Sequence, residues 1–267
     1  MPREGRSETV ARVIAVIPAR LNSTRFPAKV LASATGMPLI RHVVDNAARA
    51  RSIERVVVAT DDSRVEDAVR AFGGECVMTR ADHPNGTSRL HEASQKLGLA
   101  PEDVVVNVQG DEPEMEPAVI DAAVAAMLEA GAPGSVGVPV VTIATPFHPG
   151  EDAANPNIVK VVIAQDGRAL YFSRSLIPHV RVGAEAPASP LRHVGLYVYR
   201  AGFLATYVTL APSALERSEM LEQLRVLEHG HAIRCVVAEC RGTGIDTAEQ
   251  YAAFAARWIA KGMEARA

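Results

Sequence analysis

The chain has 267 residues, 48% of them hydrophobic and 22% charged, and a formal net charge of −3. That length fits one large α/β domain, or one with a modest insertion, and the acidic balance argues against a general nucleic-acid binder. Its three cysteines, Cys76, Cys235 and Cys240, lack C-x-x-C spacing, which argues against a disulfide framework or zinc site and for a reducing cytosol; no apolar run approaches the roughly 18 residues of a membrane span.

Residues 1–12 hold no hydrophobic segment and read as a mobile tail. Val13-Ile14-Ala15-Val16-Ile17, stopped by Pro18, has the pattern of a buried parallel strand. The polar loop after it carries Arg20, Arg25 and Lys29 among small residues and is stiffened by Pro18 and Pro27. Ligands of open α/β sheets sit at the carboxyl ends of strands, so three cations there suit a nucleoside triphosphate, with about four negative charges. A solvated basic loop is the plainer alternative. Neither G-x-x-x-x-G-K-[ST] nor G-x-G-x-x-G is present, which excludes a Walker loop and a dinucleotide fingerprint.

Pro38 to Arg51 has apolar residues at helical spacing, and Arg55–Thr60 reads as a second buried strand. Asp61-Asp62-Ser63 caps a helix through Phe72 that Gly73-Gly74 ends, and Glu75–Met78 is a short third strand. Such βα units predict a parallel sheet with helices on both faces. In Thr79–Leu90, Pro84-Asn85-Gly86 signals a turn and Thr87 or Ser88 caps a helix to Leu97. The turn does not account for Arg80, Asp82, His83 and Arg89, so a ligand loop is set beside it.

Asp103–Gln109 is the next central strand, running into Gly110-Asp111-Glu112-Pro113. An acid just past a buried strand suits a Mg²⁺ ligand; otherwise Asp111 caps the turn before a helix over Pro117–Leu128. From Gly134 the pattern turns antiparallel, with strand-like segments at Val136–Ile143, Ile158–Ile163 and Arg168–Phe172, and a surface loop over 180–191. Arg192–Tyr199 places His193, Gly195, Tyr197 and Tyr199 on one side of a strand, fit for a cavity, a subunit contact or a core histidine. Ser218–His229 reads as one helix capped by Ser218, with Gln223 near its apolar stripe and Glu222 and Arg225 exposed. A last strand, Ala232–Glu239, precedes Gly242–Thr247 and a helix over Ala248–Ile259. Asp246 either caps that helix or supplies a second metal carboxylate facing Asp111.

The motifs PARLNSTRFPAK, TRADHPNGTSRL, NVQGDEP, NPNIVKVV, YFSR, RHVGLYVYR, EMLEQLRVL and GTGIDT, in this order from Val13 to Ala256, resemble those of the 3-deoxy-manno-octulosonate (Kdo) cytidylyltransferases, or CMP-Kdo synthetases. Sialic-acid cytidylyltransferases and other sugar nucleotidyltransferases share the form of the first motif; its combination with NVQGDEP and EMLEQLR is specific. The resemblance implies a Rossmann-like, mostly parallel nucleotidyltransferase sheet over residues 13–260, with a smaller antiparallel extension at about 155–230 that forms a homodimer, and a C-terminal tail over 261–267. It implies a cytoplasmic enzyme that joins CTP and Kdo, with Mg²⁺, into CMP-Kdo and pyrophosphate for lipopolysaccharide, and no nucleic-acid or membrane partner.

Carried onto matching positions, the resemblance sets Arg20, Arg25 and Lys29 on the CTP phosphates with Ser23 beside them, and Asp111 and Asp246 on the metal. Arg80, Ser88 and Arg89 fall where the family contacts nucleotide or sugar. Gln109, Arg174, His193, Tyr197, Glu222 and Gln223 surround Kdo, with Arg174 as the expected partner of its carboxylate; for Glu222 the motif overrides the helical wheel. Met37-Pro38 stands where the family often has Lys-Pro, TSRL replaces TERL, and the 180–191 loop is short. None of these touches the metal carboxylates or the phosphate cations; the loop bears on sugar specificity and oligomer geometry. A different sugar acceptor, or a non-catalytic nucleotide-binding protein, are the competing readings.

Overall fold

The computed structural model describes residues 11–21, 25–130, 137–185 and 188–264. Strands β1 (Val13–Ala19), β2 (Arg55–Thr60), β3 (Glu75–Met78) and β4 (Val104–Asn107) lie parallel in the order β3-β2-β1-β4. Alternate residues of β1 feed two cores. Val13, Ala15 and Ile17 pack with Ile40 and Val43 of α1 (Leu39–Ala47), Val65 and Val69 of α2 (Ser63–Ala71), and, beyond α3 (Gly86–Lys96) in the chain, Ile120 and Val124 of α4 (Pro117–Ala130). Ile14 and Val16 join Leu90 and Ala93 of α3 on the other face. Burial on both sides is why these strands read as unbroken apolar runs.

The second half of the sheet is mixed. It adds β5 (Val140–Pro146), β6 (Lys160–Ile163), β7 (Ala169–Ser173), β8 (Leu191–Arg200) and β9 (Ile233–Val237). The order continues β4-β8-β5-β9: β8 is antiparallel to both its neighbours and β5 is parallel to β9. β6 pairs antiparallel with the start of β8 and with β7. Ten residues long, β8 thus spans from the parallel core to the antiparallel part, with His193, Gly195 and Tyr197 on the face away from buried Val194, Leu196 and Val198. Helices α5 (Ala201–Tyr207), α6 (Ala214–Glu219), α7 (Gln223–Glu228) and α8 (Ala248–Glu264) complete the chain. No helix among the described residues is long and apolar enough to cross a membrane.

Several expectations shift. Asn85, not Thr87 or Ser88, caps α3, its side chain accepting from Ser88 N–H at 2.9 Å. Arg12, read as tail, is tied to Asp103 by its backbone N–H and its guanidinium. α8 runs past residue 260 to Glu264, into the expected C-terminal tail. The single helix over Ser218–His229 is two short ones, broken at Met220 in the left-handed region (φ 53°). Ser213 and Glu216 form the capping box of the first, and Arg225, expected to be exposed, is buried against Glu216 and the Tyr207 ring.

Candidate active site

Two loops leaving the carboxyl ends of β1 and β4 build the site. A methyl group at Gly110 would stand 2.9 Å from the carbonyl oxygen of Pro18, so glycine lets the β4 loop lie directly on the end of β1. The β1 loop turns through Ala28 at φ 55° into a short 3-10 turn at Lys29–Leu31. Lys29 Nζ lies 2.6 Å from Asp111 Oδ2, 2.9 Å from the Ile245 carbonyl and 3.4 Å from Asp246 Oδ1. Arg25 reaches Asp246 at 3.0 Å, and Ile245 N–H donates to the Asp111 carbonyl at 2.8 Å, locking the two acidic loops together.

The sequence left Asp246 either capping α8 or facing Asp111. Thr247 Oγ1 accepts from Gln250 N–H at 3.3 Å while Gln250 Oε1 accepts from Thr247 N–H at 3.0 Å, so the start of α8 is capped without the Asp246 side chain. That carboxylate is free for the site. The two acids and Arg25 line a cavity of about 650 Å³, together with Glu112, Arg192, His193 and Gly195. Its floor is held by buried Lys160, whose ammonium donates to the carbonyls of Asn155, Ile158 and Arg174. Burial, then the charge of Asp111, pushes the Glu112 carboxyl up to about 8, with Arg192 opposing.

Beside it lies a narrower pocket of about 100 Å³ lined by Thr87, Asn107, Gln109, Tyr197, Tyr199, Tyr207, Glu222 and Gln223. The turn at Met220 starts α7 at Gln223 and sets Glu222 and Gln223 on this pocket. Glu222 is open to solvent at the mouth yet crowded by protein, and this crowding raises its pKa while Thr87 donates to it at 3.3 Å. His193 stands on the wall of the larger cavity, its Nε2 3.0 Å from Thr142 Oγ1 and its ring edge-on to Phe172 at 5.0 Å and tilted against Tyr197 at 5.4 Å. Burial and then Arg192 push its pKa down to about 3, so the imidazole is neutral.

Other expected residues lie elsewhere. Arg20 is exposed and donates to the His83 carbonyl at 2.7 Å, tying the β1 loop to the turn before α3. Arg80 pairs with Asp82 and, with Ser88, lines a separate cavity of about 440 Å³. Arg89 is fully buried, donating to Thr79 Oγ1 at 2.6 Å and facing Asp61 at 3.0 Å, so it supports the loop rather than opening onto either cavity. Arg174 donates to the carbonyls of Glu219, Pro156 and Met220 and lines neither cavity. Ser23 lies outside the described residues. Glu112 and Arg192 were not singled out from sequence; the one follows Asp111 and the other opens RHVGLYVYR, and both positions were signal enough. Gly242 and Thr243 line the main cavity and also a groove of about 710 Å³ on their other side, where Glu114, Arg241, Phe254 and Trp258 stand.

A βα sheet with a basic loop and two convergent carboxylates at its carboxyl end suits nucleotidyl transfer. Residues 14–233 match the cytidylyltransferase family model, and the chain belongs to that family. It is 48% identical over 238 residues to the 3-deoxy-manno-octulosonate cytidylyltransferase of Syntrophobacter fumaroxidans, covering 89% of this chain and 93% of the relative. It is 50% identical over 235 residues to that of Anaeromyxobacter dehalogenans, covering 88% and 93%. A solved CMP:2-keto-3-deoxy-manno-octonic acid synthetase complexed with CTP aligns with a TM-score of 0.86 at 40% identity, over 94% of this chain and 100% of that one. A cytidylyltransferase from Leptospira borgpetersenii aligns at 0.58 and 16% identity, over 91% of this chain and 84% of that one, a likeness of fold alone.

Proposed function

We propose that this enzyme transfers CMP from CTP to the anomeric hydroxyl of Kdo and releases pyrophosphate. The observation that carries the reading is the meeting of Asp111 and Asp246 at one ammonium, in a cavity whose far wall is the polar face of β8. The resemblance of about nine-tenths of the chain to Kdo cytidylyltransferases supports the choice of substrates.

The reaction asks for alignment and charge neutralisation rather than a covalent intermediate. The anomeric hydroxyl gives up its proton to water, its oxygen forms a bond to the α-phosphorus as the bond from that phosphorus to the bridging oxygen breaks, and pyrophosphate leaves with the electron pair. Arg25 and Lys29 hold the triphosphate and offset charge building on the leaving group, with Arg20 of the same loop swinging from the His83 carbonyl to join them. Gln109, Tyr197, Glu222 and Gln223 receive the sugar hydroxyls, and neutral His193 keeps the wall between the two groups free of competing charge. Two hard oxygen ligands brought together around a cation suit Mg²⁺, which Asp111 and Asp246 would hold. When bound, Mg²⁺ supplies Lewis-acid stabilisation at the α-phosphate and acidifies the attacking hydroxyl. The product feeds lipopolysaccharide synthesis in the cytoplasm. The antiparallel region at about 155–230 forms the homodimer, and neither nucleic acid nor membrane takes part.

Pyrophosphate release with Mg²⁺ tests this, pairing each of four nucleoside triphosphates with Kdo, 8-amino-Kdo and sialic acid. CTP with Kdo is expected to be the fastest pair. Faster release with another sugar would reassign the acceptor, and no release with any pair would end the reading.

A further inference from the structure

We infer that the groove behind Gly242 and Thr243 is a second binding site, for a small anion carried on an aromatic ring, and that its occupant acts on the carboxylate cavity through the wall the two share. The site stands on its own geometry; its effect on the cavity rests on the reading of Asp111 and Asp246 given above.

The groove, of about 710 Å³, has the size of a small-molecule site. Its base is apolar. Met115 and Phe254 line it while almost fully buried, and Trp258 of α8 stands beside them 42% exposed. The indole is packed in place, nearly at right angles to the His42 ring with centroids 4.4 Å apart, and tilted against Phe254 at 6.4 Å. A second ring laid on its uncovered surface would bury apolar area against a partner that is already ordered.

The rim is charged. Arg49, Arg241, Arg257 and Lys261 stand with Glu114 and Glu116, four cations against two carboxylates, an excess of two positive charges on a chain of net charge −3. Arg257 takes Glu114 at 2.5 Å. Glu116 accepts from Arg241 N–H at 2.9 Å and from Cys240 Sγ at 3.2 Å. The Arg241 guanidinium and the Lys261 ammonium pair with no described residue, and Arg49 reaches only Asn46 at 3.4 Å. The Asn46 amide is itself spent on the Pro113 carbonyl. Unspent charged donors over an aromatic base suit an acidic head on a ring better than a neutral sugar.

The wall links this groove to the carboxylates. Residues 113–117 follow Asp111, and residues 241–243 lead to Asp246. The two segments touch where a methyl group at Gly242 would stand 2.8 Å from the Glu114 carbonyl oxygen. An occupant therefore bears on both acidic loops at once.

The test uses anilinonaphthalene sulfonate, read by its own emission, on the full-length chain. Beside it are set phenylnaphthylamine, the same ring system without the charge, and inorganic sulfate, the charge without the ring. The sulfonate should bind at a single site, and the amine about tenfold more weakly for want of one charge-assisted contact. Arg241→Glu and Arg49→Glu should each weaken the sulfonate about tenfold at an unchanged melting temperature, and Trp258→Ala should weaken both ring compounds. In calorimetry without sugar, bound sulfonate should change the affinity for CTP with Mg²⁺ on the order of fivefold, and CTP should change that of the sulfonate by the same factor. Equal binding of the two ring compounds, or sulfate binding as tightly as the sulfonate, would overturn the ligand class. Sulfonate binding that Arg241→Glu and Trp258→Ala leave intact, or complete displacement by CTP in the unaltered chain and in Arg241→Glu alike, would move the probe out of the groove and overturn the site. Binding that appears only as a dimer dissociates on dilution would name a second copy of the chain as the occupant and overturn it too. Binding with no change in CTP affinity would overturn the communication through the wall. A chain that takes the probe but no CTP would overturn the proposed reaction and leave the site standing.

Discussion

Lys29 holds its ammonium 2.6 Å from Asp111 while Asp246 closes on the same nitrogen. One cation thus keeps two acids together that would otherwise repel. Lys29→Met should lower stability by about 1–2 kcal/mol and turnover by on the order of 10²–10³. Adding MgCl₂ should raise the melting temperature of the variant more than that of the unaltered chain, because the two carboxylates no longer have an internal counter-ion. Equal shifts in the two proteins would contradict this.

Asp111→Asn leaves Lys29 its contacts to Ile245 and Asp246, so the fold should persist with a melting temperature within a few degrees. Pyrophosphate release should fall by on the order of 10³, the loss expected when a preorganised charge at the reacting phosphate is removed. Near-normal release with Mg²⁺ as the sole metal would take Asp111 out of the site.

Two glycines should separate catalysis from stability. At Gly195 an added methyl would stand 3.1 Å from Glu112 Oε1, a side chain that has room to give. Gly195→Ala should therefore melt normally and lose about tenfold in kcat/KM through displacement of Glu112 into the cavity. At Gly110 the obstacle is the Pro18 carbonyl at 2.9 Å, which is backbone and cannot swing aside. Gly110→Ala should cost about 1–3 kcal/mol in urea denaturation as well as activity. A reversed pattern would refute the assignment of these two contacts.

Stability should also carry a signature of Glu92 in acid. Burial works against its charge, but Lys96, the Arg80 N–H and His83 hold the carboxyl down at about 2, below its ordinary 4.5. Because the unfolded chain takes up this proton first, the contribution is complete above the ordinary value and is lost as pH falls through it toward about 2. The difference in urea midpoint between the unaltered chain and Glu92→Gln should be constant at neutral pH and shrink between about pH 4.5 and 2. A difference that stays flat over that range would exclude the mechanism.

The centre of the parallel half was legible because burial on both faces leaves an apolar run, so Arg55–Thr60 matches the expected strand; Glu75–Met78, a half-exposed edge strand, matches through its position after the Gly73-Gly74 helix stop. The meeting of Asp111 and Asp246 was open on sequence, since either acid could have been a cap; the reciprocal Thr247–Gln250 cap of α8 decides it for Asp246. The break at Met220 was not legible. EMLEQLRVL has unbroken helical spacing, and its left-handed residue is not a glycine. Tertiary contacts impose the turn: Ser173 and Arg174 hold Glu219, while Leu221 and Leu224 sink into the core. Arg89 misled for a similar reason. Its place in a polar loop motif spoke for a ligand, but Thr79 and Asp61 bury it completely.

Gly242 and Thr243 form a wall one strand of backbone thick, with Asp111 and Asp246 on one side and Trp258 on the other. Trp258 is the sole indole in the sequence. Its emission therefore offers an unlabelled optical gauge of events at the carboxylates, so that a titration with CTP could be followed through the native fluorophore in real time, before any chemistry occurs.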